Sequence, residues 1–133
     1  MTLADLGDWY LVTGSPTKAL ASYREAWQEL AKAGSTKLLS EPRQLSYHAP
    51  PASVARSKLS SADAVEQHVR VGFTVTRDGK VTNVSALSSD ASESLAKSVV
   101  NAVRRARYAP RMSEGEAVDA SGITLEERLL VKR

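Results

Sequence analysis

The sequence has no cysteine, which excludes a disulfide framework, a thiolate metal cluster and a cysteine nucleophile. That absence does not fix the compartment, because an oxidising space tolerates a cysteine-free domain as readily as the cytosol does. No apolar run approaches the ~20 residues needed to cross a bilayer, and the N-terminus lacks the basic, apolar and small-residue blocks of a signal peptide. There is no large charge excess either: 18 Lys plus Arg stand against 15 Asp plus Glu, a net charge of +3. Three charges are too few to argue a partner without knowing where they lie. What is present, 133 residues of which 42% are apolar and 25% charged, is one domain's worth of chain or two small ones, expected to be a soluble piece.

Leu3, Leu6, Tyr10 and Leu11 recur at helical spacing, and Ala19, Leu20, Tyr23, Ala26, Trp27 and Leu30 do so again after Thr13-Gly14-Ser15-Pro16. Gly14 suits the end of the first helix, and Ser15 and Pro16 the cap and first turn of the second. Leu6-Gly7, Tyr10, Gly14, Ala19, Tyr23 and Ala26 stand at the spacing of a tetratricopeptide repeat, which residues 3–33 resemble. One repeat cannot bury a continuous core, so the resemblance implies that the chain is the tail of a longer protein; the alternative is a lone helical hairpin packed on the rest of the chain.

Residues 34–66 lose periodicity and are punctuated by Gly34, Pro42, Pro50 and Pro51. They read as a linker or wrapping loop with a short helix near Ser53 to Leu59. The expected organisation is a helical hairpin over 1–34, a linker over 35–66 and a second domain over 67–133.

From Gln67 the pattern changes to period two, with Val69, Val71, Phe73 and Val75 alternating with Arg70, Gly72, Thr74 and Thr76. Asp78-Gly79 suits a tight hairpin turn, and a β-branched run from Val81 to Leu87 follows. A two-residue loop places Phe73 opposite Val84 and Val71 opposite Ala86, whereas a three-residue loop places Val81 opposite Val75; local pattern leaves both open. Asp90 and Glu93 form a capping-box-like start to a helix whose stripe is Leu95, Val99, Ala102, Val103 and Ala106, ending near Tyr108 before Pro110. Ile123, Leu125, Leu129 and Val131 then alternate as a last strand. Glu127 breaks that parity, so either a bulge re-aims it or the strand lies at an edge where the carboxylate reaches water. The expected fold class is α+β: a helical hairpin, then a three-stranded antiparallel sheet covered by one main helix. Its core centres on Val71, Phe73, Val84, Leu95, Val99, Val103, Tyr108 and Leu129.

Three segments in order, Val69-Arg-Val-Gly-Phe-Thr-Val-Thr-Arg-Asp78-Gly79-Lys-Val81, Ala102-Val-Arg-Arg-Ala-Arg-Tyr108-Ala-Pro110 and Gly122 to Val131, resemble the C-terminal domain of the TonB family of energy transducers. The likeness covers about half of the chain, residues 67–132. Tyr47-His48-Ala49-Pro50 is loosely similar to a Tyr-Pro element that precedes the sheet in that family, and Ala106 stands where an aromatic is common. The resemblance implies a periplasmic domain of a protein anchored in the bacterial inner membrane. Its partners would be the TonB box peptide of an outer-membrane TonB-dependent receptor and, through a segment outside this chain, inner-membrane motor proteins of the ExbB and ExbD type. It also implies that the peptide adds to the last strand at Gly122, Ile123, Thr124, Leu125, Glu126, Glu127, Arg128, Leu129, Leu130 and Val131. An unpaired strand edge offers the donors and acceptors that such β-addition completes. On this reading Leu125→Pro removes a donor from the docking edge.

Other function classes are less well supported by the residues. His48 and His68 are isolated, no metal-ligand spacing or phosphate loop occurs, and Glu126 and Glu127 point to opposite faces of a strand, so neither catalysis, a cofactor, a metal nor a small-molecule substrate is expected. Lys97, Arg104, Arg105, Arg107 and Arg111 gather at the end of the main helix, as a phosphate-contacting patch would. Cations there also complement the helix dipole, and the outer sheet face offers no aromatics on which bases could stack, so no nucleic-acid partner is expected. A periplasmic protein-binding adaptor without energy transduction is the alternative that keeps the fold.

Overall fold

The computed structural model describes residues 2–34, 36–54, 56–59 and 61–132, except for the side chain of Ser61. Ten elements follow in order: α1 (Leu3–Val12), α2 (Pro16–Lys32), β1 (Arg43–Ser46), β2 (Ala64–Val75), β3 (Val81–Ser89), α3 (Glu93–Arg104), β4 (Arg107–Ala109), β5 (Arg111–Ser113), β6 (Glu116–Val118) and β7 (Ala120–Lys132), with short 3₁₀ turns at Lys37–Leu39 and Ser61–Asp63. The fold is α+β as expected. None of the described helices is long and apolar enough to cross a membrane.

The helical hairpin is closed by local chemistry. Thr2 and Asp5 form a reciprocal capping box at the start of α1. At its end Gly14 takes φ 87°, Ser15 N–H donates to Tyr10 O at 2.7 Å and Gly14 N–H to Leu11 O at 3.2 Å, a Schellman stop that leads into Pro16. Ser15 sits at the cap of α2, but its side chain makes no capping bond. Gly7 lets the helices approach: a Cβ there would lie 2.7 Å from the Tyr23 ring. Ala19, Tyr23 and Ala26 are buried in the seam.

This hairpin shares a core with the rest of the chain. Tyr23, Ala19, Ala26 and Leu11 pack in one cluster with Leu39, Ala109 and Met112. Asp8 accepts from the Tyr23 hydroxyl at 2.6 Å and from both terminal nitrogens of Arg43 at 3.0 and 3.1 Å, tying α1 and α2 to β1.

The segment read as a linker contains β1, which pairs antiparallel with β4, and β2 begins at Ala64 rather than Gln67. β1 is only four residues without clean alternation, and its partner lies more than sixty residues away, so no local pattern announces it. Between Ser53 and Leu59 the described residues form turns, with Arg56 N–H and Ser57 N–H both donating to Ser53 O, and not the expected helix; Ala55 lies outside the described residues.

The main sheet has the order β3-β2-β7, all antiparallel. Thr76 N–H donates to Lys80 O at 2.8 Å, which closes a three-residue loop and sets Val75 opposite Val81. Further along, Asn83 adopts φ 53° and the register shifts, after which Val71 faces Ala86. The Val75–Val81 pairing therefore holds at the turn and the Val71–Ala86 pairing beyond the shift, while Phe73 falls within the shift and is not in register with Val84. The helix α3 starts one residue after Ser92, whose hydroxyl accepts from Leu95 N–H, so Ser92 and not Asp90 is the cap. It stops at Arg104, because the chain must extend for Tyr108 and Ala109 to pair with β1, and Tyr108 is a strand residue. Val99 and Val103 pack on Val69, Val71, Phe73, Val75, Val81, Ala106, Tyr108 and Leu129, with Val84 and Leu95 at the margin. The Phe73 and Tyr108 rings lie 5.4 Å apart.

Candidate functional site

In a three-stranded sheet both outer strands present unpaired backbone, and the two edges here differ. β3 carries register shifts at two places and the positive φ of Asn83, devices that bend an edge away from further pairing. β7 pairs with β2 in one unbroken register from Ala64↔Lys132 to Phe73↔Ile123 and becomes irregular only beyond it. The open side of β7 is therefore the straighter template.

Part of that side is already taken. Leu130 N–H donates to Ala52 O and Val54 N–H to Arg128 O, each at 2.8 Å, around a bridge between Ser53 and Leu129. Backbone groups of one strand residue point the same way and alternate along the strand, so even-numbered residues of β7 face outward here and odd-numbered ones face β2. Among the described residues, the groups left open on the Thr124 side of this cap are the N–H and C=O of Thr124 and Glu126 and the N–H of Arg128.

The ten residues named from the sequence thus divide. Gly122 is exposed with φ 71° at the irregular end. Ile123 and Leu125 are half-buried against the core, opposite Phe73 and Val71, while Thr124 and Glu126 are exposed on the outer face. Leu129 is fully buried, Leu130 has its N–H taken, and Val131 lies opposite Val65 past the covered stretch. Leu125 N–H points to β2, so a proline there breaks the sheet itself and does not report on the edge.

Glu127 keeps the inward parity with no bulge. Its carboxylate accepts from the Tyr47 hydroxyl at 2.5 Å and from the Ser53 hydroxyl. Burial, then the hydrogen bond to Glu127, pushes the Tyr47 phenol well above its ordinary value. Edge position was one of the two expectations for this residue, but the carboxylate is satisfied by the wrapping segment, a partnership invisible to strand periodicity.

On the outer face Arg128 Nε bonds Glu66 at 2.5 Å, and His68 lies between Glu66 at 3.2 Å and Asp90 at 3.5 Å. The Arg128 hydrogen bond holds Glu66 below the usual carboxylate range, and the backbone N–H of His68 does the same for Asp90. The five cations at the end of α3 do not form one patch: Arg107 donates to Ala106 O at 3.0 Å, Arg111 pairs with Glu41 at 3.4 Å, and Lys97, Arg104 and Arg105 are exposed on the helix.

The family described as the Gram-negative bacterial TonB protein C-terminal matches residues 59–126, just over half of the chain. The hairpin α1–α2 and β1 lie outside that match. Protein TonB of Escherichia coli (strain K12) is 39% identical over 75 residues, which is 56% of this chain and 30% of the relative. The chain thus spans less than a third of the length of that relative. Among solved structures, the solution NMR structure of the Pseudomonas aeruginosa TonB CTD aligns with 26% identity and a TM-score of 0.45, covering 71% of this chain and 88% of the other.

Proposed function

This chain belongs to the Gram-negative bacterial TonB protein C-terminal family, and from that premise we propose that it is a periplasmic partner-binding domain that docks an extended receptor peptide on the open edge of β7. The observation that carries the reading is the contrast between the two sheet edges, β3 shifted in register twice and β7 regular from Ile123 to Lys132. A peptide laid beside Thr124 and Glu126 completes their N–H and C=O groups and the N–H of Arg128, a footprint of about five residues by strand geometry. In the whole protein this docking passes proton-motive force, through inner-membrane motor proteins of the ExbB and ExbD type, to transport across the outer membrane.

The edge needs no chemistry from its own side chains, which accords with a binding role over an enzymatic one. Main-chain bonds supply affinity, and the side chains beside the edge supply selectivity.

An amide-resolved NMR titration with peptides copied from the N-termini of outer-membrane receptors tests the reading. Shifts centred on Thr124, Glu126 and Arg128 are expected. Shifts centred instead on β3 would move the docking edge, and an unperturbed spectrum with every receptor peptide would reject peptide docking.

A further inference from the structure

The capped end of the β7 edge borders a cleft of about 390 Å³ between α3 and the segment that precedes Ala52. Its polar lining comes from His48, Arg56, Ser98, Asn101 and Arg105, with no carboxylate among the residues that line it. Arg56 Nη1 donates to Ala49 O at 2.5 Å, which holds the guanidinium at the cleft with its remaining donors free for another acceptor. Among the described residues neither Arg56 nor Arg105 makes an ion pair.

Chain continuity fixes where this cleft lies relative to the edge. Pro50 and Pro51 line it, and Ala52, the next residue, accepts from Leu130 N–H. The open stretch of the edge ends where Val54 N–H takes Arg128 O, and Arg56 of the cleft lies two residues beyond Val54. A strand added beside Thr124 and Glu126 meets Val54 and cannot continue past it in the sheet, so its flank is turned aside at that end. At the other end of the edge Asp119 immediately precedes β7, its carboxylate accepting from Arg77 N–H at 2.8 Å.

We propose that the cleft formed by Arg56, Arg105 and His48 receives an acidic side chain carried by the docking peptide just beyond its paired segment, at the end that abuts Val54. This rests on the β7 docking reading. Guanidinium groups with free forked donors match a carboxylate, and their placement at one end of the edge selects the direction in which a peptide lies. The site thus adds a specificity element to an edge whose main-chain bonds are blind to side-chain identity.

The test uses the full chain and three synthetic peptides with capped termini: an alternating Thr-Val six-residue core, the same core with two glutamates at its N-terminal flank, and the core with them at its C-terminal flank. Affinities are read by isothermal titration calorimetry, and the site by NMR shifts of Arg56, Asn101 and Arg105. One flank placement is expected to bind about two- to fivefold tighter than the core, the other no tighter. In the Arg56→Gln/Arg105→Gln variant, with an otherwise unchanged amide spectrum, that gain is expected to vanish while the core binds as before. Equal affinity of all three peptides, or a gain that survives the double substitution, overturns the acidic flank and leaves edge docking standing. Failure of every peptide to bind overturns both.

Discussion

The Tyr47 hydroxyl and the Glu127 carboxylate, eighty positions apart in sequence, meet at 2.5 Å beside the edge strand β7 of the main sheet. Ser53 donates to the other carboxylate oxygen, so two hydroxyls of the wrapping segment close on one inward-facing acid. The same segment then uses Ala52 and Val54 to cover the edge of β7, which makes this contact the fastening of the cap.

Tyr47→Phe is therefore expected to lower stability by about 1.5 to 3 kcal/mol, the range for a hydrogen bond to a charged group, and to loosen the cap selectively. Native-state hydrogen exchange is the readout. The amides of Leu130 and Val54 should exchange faster in the variant by more than global destabilisation explains, while those of β2 inside the sheet follow the global value.

Thr124→Pro and Leu125→Pro separate the open edge from the paired one. The N–H of Thr124 faces outward, so its loss should leave a folded protein that no longer takes up peptide. At Leu125 the N–H belongs to the β2 ladder, and proline there should cost about 3 kcal/mol or more and broaden the whole spectrum. Full peptide affinity in a folded Thr124→Pro protein would contradict docking at β7.

Asp8→Ala should release the helical hairpin from the sheet. It leaves Arg43, only 27% exposed, without its paired acceptor and strips the Tyr23 hydroxyl of its partner. The expected loss is about 1 to 3 kcal/mol. Limited proteolysis should detect it as faster cleavage in the residues joining α2 to β1, and the double variant Asp8→Ala/Arg43→Met should recover part of the loss, because the stranded guanidinium is gone.

Acid should act on the outer face of the sheet. Glu66 and Asp90 are both held below their ordinary values of 4.5 and 3.8. A depressed carboxylate contributes stability that is fully present above its unfolded value and is lost as pH falls through its folded one. The urea midpoint of the wild type relative to Glu66→Gln/Asp90→Asn should thus be constant from about pH 7 down to about pH 5 and converge with it toward about pH 3. A difference that grows on acidification would show the sign to be wrong.

Burial pushes the Tyr23 and Tyr47 phenols above their ordinary value, and the linkage then runs the other way: their contribution is present below about pH 10 and is lost as pH rises. Neither should ionise ahead of alkaline unfolding, which ultraviolet difference spectra of the Tyr23→Phe and Tyr47→Phe variants can resolve.

Local pattern determined much of this protein. Alternation of Val69, Val71, Phe73 and Val75, the helical stripe through Val99 and Val103, and the stop at Gly14 are written in residue spacing, because each depends on neighbours within one or two turns or along one strand. Tertiary structure decided the rest. Whether the Asp78-Gly79 turn sets Val75 opposite Val81 or Val71 opposite Ala86 depended on where a bulge falls, and an irregularity around Asn83 allows both while leaving Phe73 out of register with Val84. The helix end moved from Tyr108 to Arg104 because β1, unreadable as a strand by itself, claims Tyr108 from across the chain. Alternation predicted that Glu127 would face inward, but its partners Tyr47 and Ser53 come from a segment with no periodicity at all. The same holds for the candidate site: the strand was legible from Ile123 to Val131, but how much of its edge stays open was settled by Ala52–Val54 folding back upon it. Periodicity records which face of an element is apolar; it carries no information about which distant segment comes to cover an edge, since that is set by chain closure and packing over the whole molecule.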